Sequence, residues 1–183
     1  MIWLESDEVV VREWRADDAE ELAVQANDRR IWQNMRDAFP HPYGPGDARK
    51  FIAMAREKEP ATFFAVLMSG RIAGGIGFTP HSDVERVSAE IGYWVGVEFW
   101  GRGVATAALR VVTGHAFSAH EELQRIYAVP YCGNPSSARV LEKVGYRCEG
   151  TLRQSVIKDG RILDQWMYAI LRSEWETPPA HGG

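Results

Sequence analysis

Cysteine is scarce in this 183-residue chain, with Cys132 and Cys148 as its two examples. They have no metal-like spacing and no histidine close by in sequence, so the expectation is two buried thiols in a reducing compartment. Long apolar runs are missing as well. No stretch approaches the ~20 residues of a membrane span, and "MIWLESDEVVV" has early acids and no basic region ahead of an apolar core. A signal peptide and a membrane partner are therefore not expected, and a cytoplasmic location is. Positive charge is not in excess: the formal net charge is −4, which gives no basic field for nucleic acid. No histidine cluster has metal-ligand spacing; His41, His115 and His120 read as surface or satisfied side chains, and no metal is expected. No internal repeat is visible.

What remains is ordinary globular material, 45% hydrophobic and 25% charged, of a length that suits one domain without disulfides or metals. We expect a single domain over 1–176 and a flexible tail over 177–183, "TPPAHGG". Residues 8–15, "EVVVREWR", read as a strand. "ADDAEELAVQANDRRIWQNM" reads as one helix, with Asp17 or Asp18 near its start. A Pro/Gly loop covers 37–47. "DARKFIAMAREKE" reads as a second helix with Phe51, Met54 and Ala55 on one face. "ATFFAVLM" and "IAGGIGFT" form a hairpin, and "ERVSAEIGYWVGV" (85–97) a longer strand. The third helix carries Ala105, Ala108, Leu109, Val112 and Ala116 at helical spacing. A strand, "RIYAVPY", follows it. "NPSSARVLEKVG" reads as a short helix, with Asn134 as N-cap, Pro135 at its first position and Gly145 past its end. A hairpin over 146–172 closes the chain. The order β-α-α-β-β-β-α-β-α-β-β gives a mixed sheet with helical crossovers and antiparallel hairpins.

"EFWGRGVATAALRVV" (98–112) places two glycines around Arg102 at a helix start. It fails as a P-loop, because Gly103 stands where a Mg²⁺-binding hydroxyl should be. It fails as a dinucleotide fingerprint, because Gly101-x-Gly103 runs to Thr106 in place of the third glycine. Unpaired N–H groups and the helix dipole still make this turn an anion site in principle. A plain loop-to-helix junction is the other reading of the same residues.

With "AEIGYWV" before it and "GNPSSARVLEKVGY" (133–146) after it, the stretch resembles the GNAT superfamily of acyl-CoA-dependent N-acyltransferases over roughly residues 8–173. The family loop, Gln/Arg-x-x-Gly-x-Gly/Ala, lies over Trp100 to Ala105, with Trp100 in place of Gln or Arg. That departure and the flanking motifs resemble the ribosomal-protein N-acetyltransferase (RimJ/RimL-type) branch. The resemblance implies an α+β fold, a mixed and mostly antiparallel central sheet with helices on both faces. It also implies acetyl-CoA as cosubstrate, with the backbone of Tyr93, Trp94 and Val95 pairing the pantetheine arm. Gly101, Arg102, Gly103, Val104, Ala105 and Thr106 would take the pyrophosphate, and Asn134 would reach the cofactor arm besides capping its helix.

For the chemistry, an amine must lose a proton and a thiolate must leave. Glu90 shares a strand face with Gly92 and Trp94 and is the base or amine-binding candidate; the alternative is a buried carboxylate bonded to a turn. Many family members use a Tyr where this chain has Leu141. The ribosomal-protein branch uses a Ser that falls on Ser137, as donor to the thiolate or as a water anchor. Its simpler role is a first-turn Ser bonding its own backbone. That branch also carries a Glu where this chain has Val156, which leaves the base unassigned. Tyr146 reads as core. Trp32, Phe39, Tyr43, Trp94 and Trp166 are candidates for the acceptor wall, with core filling as the competing role. The expected reaction is direct acetyl transfer to a primary amine, without an acyl-enzyme. A protein N-terminus, a small amine and a longer acyl donor all stay open, as do a homodimer and an acyl-CoA-binding module without turnover.

Overall fold

The computed structural model describes residues 2–4 and 9–176; the expected tail over 177–183 lies outside the described residues. The strands are β1 (Ile2–Leu4), β2 (Val9–Glu13), β3 (Phe63–Met68), β4 (Arg71–Pro80), β5 (Ser88–Val95), β6 (Arg125–Ala128), β7 (Arg147–Lys158) and β8 (Arg161–Leu171). The helices are α1 (Ala19–Ala26), α2 (Arg29–Trp32), α3 (Pro45–Arg56), α4 (Val104–Ala119), α5 (Pro135–Val144) and α6 (Arg172–Glu176). One sheet holds the eight strands in the order β1-β2-β3-β4-β5-β6-β8-β7. Every neighbouring pair is antiparallel except β5 and β6. This is the expected fold class, and β1, α2 and α6 are additions to the expected order.

Central strands β3 and β4 are buried on both faces, which alternation explains. Phe64 and Val66 pack with Leu109, Val112, Ala116 and Leu141 from α4 and α5. Ala65, Leu67 and Ile72 pack with Leu22, Ala26, Ile52 and Trp14 on the α1 and α3 side. Helices therefore cover both faces of the sheet.

Three local expectations need correcting. The first helix is interrupted at Asn27, where ψ turns to 59° and Asp28 caps a new helix by accepting the Arg30 N–H at 2.8 Å. The Asn27-Asp28 pair carries side chains that compete for backbone groups, which is why it breaks the run. Asp18 does stand at the start of α1, as expected, and its side chain is buried, where it receives both terminal nitrogens of Arg12 at 2.7 Å and accepts the Arg15 N–H. In α3 the buried face is Ala48, Ile52 and Ala55, with Met54 exposed and Phe51 half-buried. Nor are the thiols buried. Cys148 is exposed on edge strand β7, Cys132 is intermediate, and both are free.

Candidate active site

The parallel ladder between β5 and β6 pairs Ser88 with Arg125, Ala89 with Ile126 and Glu90 with Tyr127, and goes no further. Strand β5 continues to Val95, so the two strands diverge and leave a wedge between them. The direction of the freed backbone groups follows from its flanks. The Gly96 N–H donates to Ala73 on β4, whereas Val87 accepts from Arg125 on the β6 side. Alternation then turns the N–H and C=O groups of Ile91 and Tyr93 and the Val95 N–H toward the wedge, while the Val95 C=O accepts from the Trp100 indole. An extended amide ligand adds to such an edge as a further strand.

A cleft of about 1230 Å³ fills the wedge and runs to the glycine turn and α5. At its donor end Gly101 and Gly103 have φ of +74° and +79°, and a Cβ at either would meet no atom within 4 Å. Both positions need glycine for the left-handed backbone, and both leave the turn open to close approach. Gly103 is the N-cap of α4 and provides no side-chain cap. The first intrahelical bond is Ala107 N–H to Gly103 O, so the N–H groups of Val104, Ala105 and Thr106 have no acceptor within the helix. All three residues line the cleft. The free N–H groups and open glycine backbone suit a diphosphate.

Across from β5, Asn134 Oδ1 accepts the Ser137 N–H at 3.2 Å and caps α5. The Tyr93 hydroxyl spans the wedge, lying 2.9 Å from Ser137 Oγ and donating to the Ser137 carbonyl at 3.2 Å. Burial pushes the Tyr93 hydroxyl well above its usual pKa, with the Ser137 contact opposing part of that shift. It stays protonated through the physiological range. Sequence reasoning used only the backbone of Tyr93, and the alternation that turns its side chain away from Glu90 was the available signal.

Glu90 lines the cleft and is not the buried, turn-bonded carboxylate of the alternative reading. Its side chain is 26% exposed and accepts from Arg36 Nη2 at 2.5 Å. Arg36, in the loop after α2, lies 54 positions away, and no local pattern pointed to it. Phe39, Tyr43 and Trp94 also line the cleft, with ring centroids 4.8 Å apart for Phe39–Tyr43 and 5.8 Å for Phe39–Trp94. The Tyr43 hydroxyl is pushed up to about 12 by burial and by Asp47. Tyr131 and Gln165 complete this end; Gln165 donates to the Val129 carbonyl and accepts from Ser155.

Three sequence candidates do not line the cleft. Trp32 lies beneath the Lys158 ammonium, 4.0 Å from its ring centroid, and Lys158 itself is buried and paired with Asp37 at 2.8 Å. That contact ties the β7–β8 turn to the loop after α2. Trp166 packs against the α4-side core. Arg102 places its guanidinium over the Phe99 ring. Tyr146 is core, its hydroxyl 2.8 Å from Thr113 Oγ1. His120, expected to be a surface or satisfied side chain, has a buried Nε2 without a hydrogen-bond partner. Among the described residues no group of three or more His, Cys, Asp or Glu could hold a metal, and no helix is long and apolar enough to cross a membrane.

A split mixed sheet with a glycine-turned helix start on one wall and a capped helix on the other is the arrangement expected of the acyltransferases of the GNAT class. The family model "Acetyltransferase (GNAT) domain" matches residues 8–147, and the chain belongs to that family of acetyl-CoA-using enzymes. YdaF of Bacillus subtilis (strain 168), provisionally named a ribosomal N-acetyltransferase, is 37% identical over 111 residues, 61% of this chain and 60% of YdaF. The ribosomal-protein-serine acetyltransferase of Escherichia coli (strain K12) is 28% identical over 126 residues, 67% of this chain and 69% of that protein. Mycobacterium smegmatis RimJ, solved in complex with CoA-disulfide, superposes with a TM-score of 0.78 at 28% identity, covering 94% of this chain and 85% of RimJ. The chain is an N-acetyltransferase.

Proposed function

We propose that this enzyme acetylates the N-terminal amine of a ribosomal protein, with acetyl-CoA as donor and residues 1–176 acting as one domain. The observation that carries the donor half is the freed edge of β5 running into the glycine turn at α4. The names of the relatives support the acceptor. Bound acetyl-CoA supplies an activated thioester.

The protein's part is binding, orientation and proton traffic. The Tyr93 edge groups and the Val95 N–H align the amide arm, and the N–H groups of Val104, Ala105 and Thr106 hold the diphosphate. Glu90 attracts the incoming ammonium, exchanging Arg36 for it, and takes its proton directly or through water. Ser137 donates a hydrogen bond to the departing sulfur and keeps its proton, so the sulfur leaves as the thiolate. A thiol of pKa ~8.5 needs little acid strength to leave. The Tyr93 hydroxyl, whose pKa is raised, therefore serves as a fixed hydrogen-bond donor that holds Ser137 and does not give up its proton.

The test is incubation of the enzyme with acetyl-CoA and separated ribosomal proteins, followed by intact-mass and N-terminal peptide analysis. Acetylation at one or a few N-termini is expected. Turnover of small amines with every protein N-terminus unmodified would overturn the acceptor assignment.

A further inference from the structure

The glycine turn brings one cation of its own, Arg102, and that side chain is used elsewhere. Its guanidinium lies 5.9 Å over the Phe99 ring, which Arg71 approaches at 5.5 Å. Arg102 also helps to hold the Glu98 carboxyl below its usual pKa, after the stronger effects of Arg71 and Gln25. This cluster does not line the cleft, apart from the Phe99 ring.

Arg30, Arg36, Lys50, Arg139 and Lys143 all line the cleft, and the one that lies on the turn's own Trp100 is Arg30, from α2. Its guanidinium lies 5.9 Å over the Trp100 ring, and Trp100 immediately precedes Gly101. Both members of the stack are fixed. Asp28 receives Arg30 Nε at 3.0 Å and Nη2 at 2.7 Å, and the same carboxylate caps α2. The Asp28 pKa falls to about 2, chiefly through the Arg30 side chain. The Trp100 indole donates from Nε1 to the Val95 carbonyl at 2.8 Å. A fork engaged through Nε and Nη2 leaves Nη1 outside that pair. A continuous chain, Asp28–Arg30–Trp100–Val95, therefore sets one guanidinium beside the anion-binding turn.

We propose that Arg30, positioned by Trp100 and Asp28, is the side-chain cation for the phosphate groups of the acyl donor, in the place that Arg102 leaves. The proposal rests on the donor reading above. Trp100 then has two tasks, to pin the turn to the end of β5 and to give the guanidinium a flat surface to lie on. Stacking on an indole suits Arg better than Lys.

The experiment titrates CoA and, separately, pantetheine, which has the amide arm without the phosphates, into the wild type and four variants. Arg30→Gln is expected to weaken CoA on the order of tenfold, the size of one charge-assisted hydrogen bond at a partly exposed site, and to leave pantetheine unchanged. Arg30→Lys recovers part of that loss. Trp100→Phe weakens CoA several-fold, because the ring keeps its place but the bond to Val95 is gone. Arg102→Gln stays within twofold of wild type. Thermal melts on the same samples confirm that each variant is folded. CoA binding by Arg30→Gln equal to wild type, a larger loss for Arg102→Gln, or equal losses of CoA and pantetheine would each overturn the proposal. A wild-type protein that binds no CoA would instead refute the donor reading itself.

Discussion

Replacing Asn134 separates two duties that its side chain combines. Asn134 Oδ1 accepts the Ser137 N–H, the one side-chain cap on a ten-residue helix whose buried face is Ala138, Leu141 and Val144. Loss of an N-cap costs typically ~1 kcal/mol, and at 3.2 Å this bond is at the long end of the normal range, so about 0.5–1 kcal/mol is the expectation. For a chain of this length each kcal/mol moves Tm by about 2–4 °C. Asn134→Ala should therefore melt about 1–4 °C below wild type, whereas Asn134→Ser, with a side chain that caps as well, should melt close to it. The amide nitrogen is the second duty: with Oδ1 occupied, Nδ2 is available to the cleft that Asn134 lines. If it bonds the donor arm, Asn134→Ser loses about 1 kcal/mol of CoA binding, roughly fivefold in Kd. Differential scanning fluorimetry with and without CoA reads both effects, since ligand at 100 Kd adds about 2.7 kcal/mol to the folded state. An Asn134→Ala protein with wild-type Tm refutes the capping account. Wild-type CoA affinity in Asn134→Ser refutes the cofactor contact.

Ser137→Ala should lower kcat by about 10–10², the worth of one hydrogen bond to the departing thiolate. Tyr93→Phe should cost less, and the double variant no more than Ser137→Ala, because the hydroxyls act as one unit; additive losses in a thiol-release assay with the identified acceptor would separate them. Asp18→Asn leaves the Arg12 guanidinium, 9% exposed, without its charge partner. A loss of about 3 kcal/mol in urea unfolding is expected, and one below about 1 kcal/mol would show that water reaches the pair. His115 has its pKa lowered, first by burial and then by His120, and its ring packs edge-on against Phe64 at 5.5 Å. A folded-state pKa below the unfolded value gives stability that is complete above pH ~6.5 and lost as pH falls through the folded pKa. His115→Phe should flatten that acid limb in equilibrium melts, and an unchanged limb would assign it to other groups.

How far the sequence went depended on the range of the interaction behind each feature. Asn134, Pro135 and Gly145 mark the ends of α5 through contacts a few residues long, and the helix is where they place it. The same short-range logic, applied to apolar spacing alone, ran α1 and α2 together, because it passed over Asp28, which caps α2, and Asn27, whose side chain accepts the Tyr43 N–H. Alternation along β5 correctly set Glu90 and Trp94 on one face and Tyr93 on the other. What alternation could not give was what each face meets. The Tyr93 hydroxyl reaches Ser137 across 44 positions, where β5 has diverged from β6, and Arg36 reaches Glu90 across 54 from the loop after α2.

The cations make the point most sharply. Sequence proximity gives the turn Arg102, but a side chain on an exposed turn follows the most favourable nearby surface, and for Arg102 that surface is the Phe99 ring beside Glu98. Arg30 is 70 positions away by chain number and sits at the turn because Asp28 fixes its fork and Trp100 supplies a flat ring. Trp100 is also the position where the loop departs from the family pattern of Gln or Arg. One change of residue type at a motif's first position thus goes with a binding charge drawn from another element. On that account the charge and the ring are coupled. Arg30→Gln combined with Trp100→Phe should weaken CoA by less than the product of the two single losses, and a fully multiplicative loss would mean the two residues act apart.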